Sequence, residues 1–154
     1  MNSLEKRVRD VAAVLHAEQV CRLYQISNDI KIAGDKLIHG AQVPGDFWGY
    51  TAGGRAILIE CKMTSQPRLA IGTKAGLRPH QLAALFEIEK AGGLGLVVWQ
   101  YQTQVAVIWS GLIRVLSKDR RSIPWASCPH HRDVMTPPLR FFEPHFHGAV
   151  SPRS

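Results

Sequence analysis

Leu4, Val8, Val11 and Leu15 recur at helical spacing and predict an amphipathic helix from Ser3 to about Tyr24. Ser3 is a candidate N-cap and Glu5 falls in the first turn. The polar stretch Asn28 to Gly40 holds one Ile-Lys-Ile segment, which predicts a turn and a short strand. Two apolar segments follow, Val43 to Tyr50 and Arg55 to Met63, and the Gly53-Gly54 turn between them makes them paired strands. Ser65 to Gly76 reads as a loop around Pro67, Gly72 and Gly76, long and charged enough to order on a substrate. Pro79 suits the first position of a helix, because its missing N–H would have no partner there. Leu82, Leu85, Phe86 and Ile88 give that helix its buried side, and Gly92-Gly93 ends it near Lys90.

Leu94 to Tyr101 is a dense apolar run suited to a central strand, and Gln104 to Trp109 predicts another. Trp48, Trp99 and Trp109 fall on these strands and read as core. Ser110 can cap a short helix from Gly111 to Ser117. Beyond Asp119 the prolines exclude a long regular element. The order predicts an α/β fold, a mixed central sheet flanked by helices. Residues 1–118 form the expected domain and 119–154 a proline-rich tail that packs on the domain or on a dimer partner. Leu94 to Tyr101 is a second candidate dimer surface.

The 154 residues suit one core, and no apolar run approaches the length of a membrane span. No apolar segment follows the N-terminal charges, so no secretory signal is read there. Cys21, Cys61 and Cys128 are odd in number and widely spaced, which suits reduced thiols in a cytoplasmic setting. Net charge is +7, and it is unevenly spread. Residues 1–62 hold 8 Lys/Arg against 7 Asp/Glu, residues 63–154 hold 11 against 5, and Met63 to Phe86 contains no carboxylate. A basic, acid-free stretch of this kind suits a polyanion.

The apolar segments carry the chemistry. Asp46 lies at the head of one, and Glu60 and Lys62 interrupt the other. Strand alternation puts Glu60 and Lys62 on one face with Leu58, opposite Ile57, Ile59 and Cys61. Charges in such a setting need a partner or a metal. Two carboxylates brought together across a hairpin suit Mg²⁺ or Mn²⁺, and a neighbouring lysine suits a nucleophile or a phosphate. Arg68, Lys74 and Arg78 are candidates for phosphate contacts, with His80 at the same helix start. Cys128, His130, His131, His145 and His147 are zinc-type ligands without the paired spacing of a structural site, so they are not read as one.

Asp46-Phe47-Trp48-Gly49-Tyr50, Ile59-Glu60-Cys61-Lys62 and His80-Gln81 at a helix start, with an apolar strand after Gly92-Gly93, resemble the PD-(D/E)xK nuclease superfamily. Within it the pattern is similar to Holliday junction resolvases of the RecU type and then the Hjc type, over about Leu4 to Trp109. The resemblance implies a restriction-endonuclease-like fold and a Mg²⁺-dependent endodeoxyribonuclease, with Mn²⁺ able to substitute. It makes Asp46 and Glu60 metal ligands, with Glu5 completing the shell and Glu18 its rival on the same helix. Lys62 becomes the catalytic lysine and Gln81 the helix-borne polar residue of the active centre. Four-way junction DNA is the implied substrate and a homodimer the implied assembly. Flap, nicked or duplex DNA as substrate, or DNA binding without catalysis, are the alternatives. The chain has Pro44-Gly45-Asp46 where the superfamily has Pro-Asp.

Overall fold

The computed structural model describes residues 2–26, 30–33, 36–39, 45–128 and 131–133. Helix α1 (Ser3–Ala17) opens the chain. Asn2, rather than Ser3, is its N-cap: its side chain accepts from the Glu5 N–H at 2.8 Å. The helix stops well short of Tyr24, and β1 (Cys21–Gln25) takes up the remainder. Its end is a Schellman motif: the Val20 N–H bonds Leu15 O at 2.9 Å and the Gln19 N–H bonds His16 O at 3.0 Å. Gln19 takes φ 60° there, a position that usually belongs to glycine, so the stop carries no sequence signature. α2 (Pro79–Lys90) ends with the same pair of bonds, here around Gly92 at φ 90°, where the sequence did signal it.

A hairpin of β2 (Ile30–Ala33) and β3 (Lys36–His39) follows β1, two strands where one was expected. Next come β4 (Phe47–Thr51) and β5 (Ala56–Thr64), then a short β6 (Arg68–Ala70) before α2. β7 (Leu94–Tyr101) and β8 (Gln104–Trp109) lead into α3 (Ser110–Leu116). Ser110 begins that helix instead of capping it, and its hydroxyl bonds Glu89 of α2. β9 (Ser122–Pro124), a single 3₁₀ turn at Trp125–Ser127 and β10 (His131–Asp133) complete the described chain.

The main sheet runs β1-β4-β5-β7-β8-β10. β5 and β7 are parallel, joined by the crossover that contains α2, and every other pair is antiparallel. α1 covers one face, where Leu4, Val8 and Leu15 are fully buried against Ile57, Ile59, Leu96 and Val98. Each such side chain stabilises the fold by roughly 1.5–3 kcal/mol. The other face packs Leu58, Val97, Trp99 and Ile108 beneath α2, α3 and the β6–β9 pair. Ile123, Trp125 and Cys128 belong to that second cluster.

Three expectations change. Residues Leu94 to Trp99 are buried in mid-sheet, so β7 offers no dimer surface. Trp99 is core, but Trp48 is 51% exposed and Trp109 38% exposed. The 65–76 stretch is not a free loop: β6 is pinned by β9, and the Gly72 N–H bonds Leu77 O at 2.7 Å. All three cysteines are buried, and among the described residues none is in a disulfide. Among the described residues no helix is long and apolar enough to cross a membrane. The expected roles of the tail from residue 134 onward, with His145 and His147, lie outside the described residues, as do Pro44 and His130.

Candidate active site

β5 and β7 lie in the middle of the sheet, so a charged residue on β5 is desolvated unless something answers it. Glu60 and Lys62 share the face of Leu58 that looks toward α2, as strand alternation requires. Glu60 is 3% exposed. Asp46 sits one residue ahead of β4 rather than within it, yet it is held as firmly as a strand residue. Its N–H bonds Ile59 O at 2.9 Å and its carbonyl accepts from the Ile26 N–H at 2.8 Å. Its Oδ2 accepts from the Cys61 N–H at 2.7 Å, which brings the carboxylate up beside Glu60.

Glu60 Oε1 has two partners. The Gln81 side-chain amide donates to it at 2.6 Å, and Lys62 Nζ lies 3.2 Å away. Gln81 is in the first turn of α2, and its own Oε1 accepts from the Arg78 N–H at 2.9 Å. Glu60 Oε2 is buried and, among the described residues, has no hydrogen-bond partner. Such an atom is costly unless a cation or donor meets it. Burial, then the neighbouring Asp46 charge, pushes the Glu60 carboxyl up to about 7; Lys62 opposes this and Glu5 adds to it. The Asp46 carboxyl also lies above its ordinary value, through burial first; the Cys61 N–H opposes the shift and Glu5 adds to it. Both carboxyls thus resist ionising in the protein alone, a condition that a divalent cation relieves. The two hard oxygen donors and the orphaned Oε2 fit such an ion.

Glu5 is half-buried at the start of α1, close enough to shift both carboxyls. Its oxygens face Asn2, with the Asn2 N–H at 3.3 Å and the Asn2 amide at 3.4 Å. Among the described residues no three His, Cys, Asp or Glu side chains form a ready metal cluster. Glu18 caps the far end of α1, roughly 20 Å along the helix from Glu5. Arg78, exposed at the N-cap of α2, and half-buried His80 stand beside Gln81. Lys74 and Arg68 are exposed and lie earlier in the chain, and Arg68 reaches Ser122 Oγ at 3.4 Å.

No protein-family model matches the chain, and no curated protein matches it. Solved structures do. That of Archaeoglobus fulgidus Hjc, a Holliday junction resolvase from an archaeal hyperthermophile, superposes with a TM-score of 0.52 at 15% identity. The match covers 84% of this chain and 94% of that one.

The fold is restriction-endonuclease-like. Within that restriction-endonuclease-like sheet, the sequence reading missed the main-chain N–H of Cys61, which orients Asp46, because a backbone donor has no residue signature. It also missed the face beside the site, where Trp48 and Tyr24 stack with ring centroids 5.1 Å apart. The alternation of Trp48 and Tyr50 with buried Phe47, Gly49 and Thr51 was the available signal.

Proposed function

We propose that the chain is a PD-(D/E)xK-type, divalent-metal-dependent DNA endonuclease that acts on four-way junctions. The observation that carries this reading is the buried Glu60 Oε2, without a hydrogen-bond partner among the described residues and set beside Asp46 and Lys62 on a fold shared with a resolvase. Asp46 and Glu60 would hold Mg²⁺ or Mn²⁺, with Glu5 adding negative charge from α1. A bound divalent ion supplies a water of lowered pKa and screens charge on the phosphate.

Gln81 and Lys62 both occupy Oε1 of Glu60, which leaves Oε2 for the cation. Lys62, 18% exposed, is within reach of both the carboxylate and a phosphate entering from solvent, so its ammonium can steady the nucleophile or the scissile group. Arg78 and His80 stand at the start of the helix that carries Gln81, and Lys74 and Arg68 are further exposed cations on the acid-free stretch that leads to it. Contacts of this kind position a duplex arm without reading its sequence. Resolution of a junction needs matched cuts on two strands, which a homodimer with two sites supplies.

The test is cleavage of a labelled four-way junction against duplex, flap and single-stranded controls, with Mg²⁺ and with EDTA. Paired symmetric nicks at the junction, lost in EDTA and in Glu60→Gln, are the expected result. Equal cutting of duplex or flap would keep the nuclease and remove the junction specificity. Binding without cutting under Mg²⁺ or Mn²⁺ would leave a DNA-binding protein.

A further inference from the structure

The sheet face that carries Glu60 continues past β5 onto β4 and β1, and there α2 no longer covers it. Trp48 pairs with Leu58 and Tyr24 pairs with Trp48, so Leu58, Trp48 and Tyr24 form one row across three strands. Ala56, Tyr50 and Arg22 form the next. Leu58 ends in the core, but Trp48 is 51%, Tyr50 46% and Tyr24 38% exposed. An aromatic surface of this size on one face of an edge pair calls for an occupant.

The patch is organised. Tyr24 and Trp48 stack at an interplanar angle of 25°, and the Arg22 guanidinium lies 5.0 Å from the Tyr24 ring centroid. Two rings and a guanidinium are therefore already ordered, and little rotamer freedom remains to be lost on binding. Trp48 is also the diagonal cross-strand neighbour of Glu60, since Leu58 is its direct partner and Glu60 stands two residues on. That relationship sets the two side chains about 7–8 Å apart at their roots.

We propose that Trp48, backed by Tyr24 and Arg22, is a stacking platform for an unpaired base of the DNA strand whose phosphate enters at Glu60. This rests on the nuclease reading for its ligand. Charge favours this occupant over a second copy of the same face: the Arg22 guanidinium beside the aromatic rings suits a polyanion with π-faces, whereas a second copy of the face would set Arg22 against its own like. The branch point of a junction is where a strand can present a base out of the stack. Each base held this way adds affinity independent of its identity, because every base has a π-face.

The experiment uses the full chain in EDTA, so that binding is read without cleavage. The probes are a four-way junction and a single-stranded oligonucleotide, each carrying 2-aminopurine, at the branch in the former. Wild type should change the 2-aminopurine emission on binding. Trp48→Ala should abolish that change and weaken binding about tenfold, and Trp48→Phe should restore most of it. Tyr24→Leu should weaken binding by a smaller factor. Thermal melting confirms that these exposed substitutions leave the fold intact. Unchanged affinity and emission in Trp48→Ala would overturn the platform, as would a shift from dimer to monomer in sedimentation with DNA binding untouched. Cleavage in Mg²⁺ is scored separately. A wild type that binds and perturbs 2-aminopurine yet never cuts would defeat the nuclease and leave the platform standing.

Discussion

Gln81 donates a 2.6 Å hydrogen bond to Glu60 Oε1 while its own Oε1 accepts from the Arg78 N–H. The second bond fixes the first. A backbone N–H can only donate, so the amide oxygen must face Arg78 and the amide nitrogen must face the carboxylate. Gln81→Leu should therefore release Glu60 and cost about 1.5–3 kcal/mol of stability, the range for a bond to a charged group. Gln81→Glu sets a third acid against Glu60 and should be worse for cleavage than Gln81→Leu. Single-turnover cleavage beside urea unfolding of both variants checks the order.

The metal-free protein should lose stability as pH rises across the neutral range. The Glu60 carboxyl is pushed from its ordinary 4.5 up to about 7. The folded chain then keeps this proton after the unfolded chain has released it. The contribution is fully present below about pH 4.5 and is lost as pH rises through about 7, a change on the order of 3 kcal/mol. Asp46, also raised, acts in the same direction. Urea midpoints in EDTA from pH 4.5 to 8 should fall, and Glu60→Gln, which cannot ionise, should flatten the slope. An equal slope in that variant would place the titrating group elsewhere.

The sequence made Glu60, Lys62 and Gln81 legible because their signals are local. Strand alternation sets the first two, and a proline-opened helix sets the third. Asp46 was legible by type, though its anchoring depends on the backbone of Ile26, Ile59 and Cys61, which pattern does not report. The end of α1 was hidden because Gln19 adopts a conformation that glycine advertises and glutamine does not. β6 was hidden because its partner β9 lies more than fifty residues away, and a three-residue strand has no periodicity to read. Trp48 was misplaced for a related reason. Alternation shows that it opposes Phe47, but not that the helices on its side stop short of it.

Gly49, in the Asp46-Phe47-Trp48-Gly49 pattern, has a packing reason. A Cβ there would lie 1.8 Å from Arg22 O on β1. No side-chain rotation relieves a clash with backbone, so Gly49→Ala must push β1 away from β4. The expected loss is about 3 kcal/mol or more, at the upper end for overpacking. Gly53→Ala, whose nearest contact would be Thr51 Oγ1 at 3.8 Å, is the matched control and should be nearly silent. Thermal melts of the pair measure the difference. Because β1 also carries Tyr24, Gly49→Ala should disturb DNA binding even at temperatures where it remains folded.

Divalent cation should stabilise the protein, and more so at alkaline pH. Mg²⁺ or Mn²⁺ binding at Asp46 and Glu60 competes with protons that both carboxyls hold unusually tightly. At a cation concentration 100 times the dissociation constant, the gain is about 2.7 kcal/mol. The rise in melting temperature should be clear at pH 8, small at pH 5.5, and reversed by EDTA. Asp46→Asn should remove it without unfolding the chain, since an amide oxygen can still accept from the Cys61 N–H that Oδ2 now accepts from. Lys62→Met should leave cation binding in place while abolishing cleavage, because Lys62 faces Oε1 and the open coordination atom is Oε2. No shift with millimolar Mg²⁺ or Mn²⁺ at pH 8 would sink the metal site. The buried Oε2 would then need a donor from the DNA or from a partner chain.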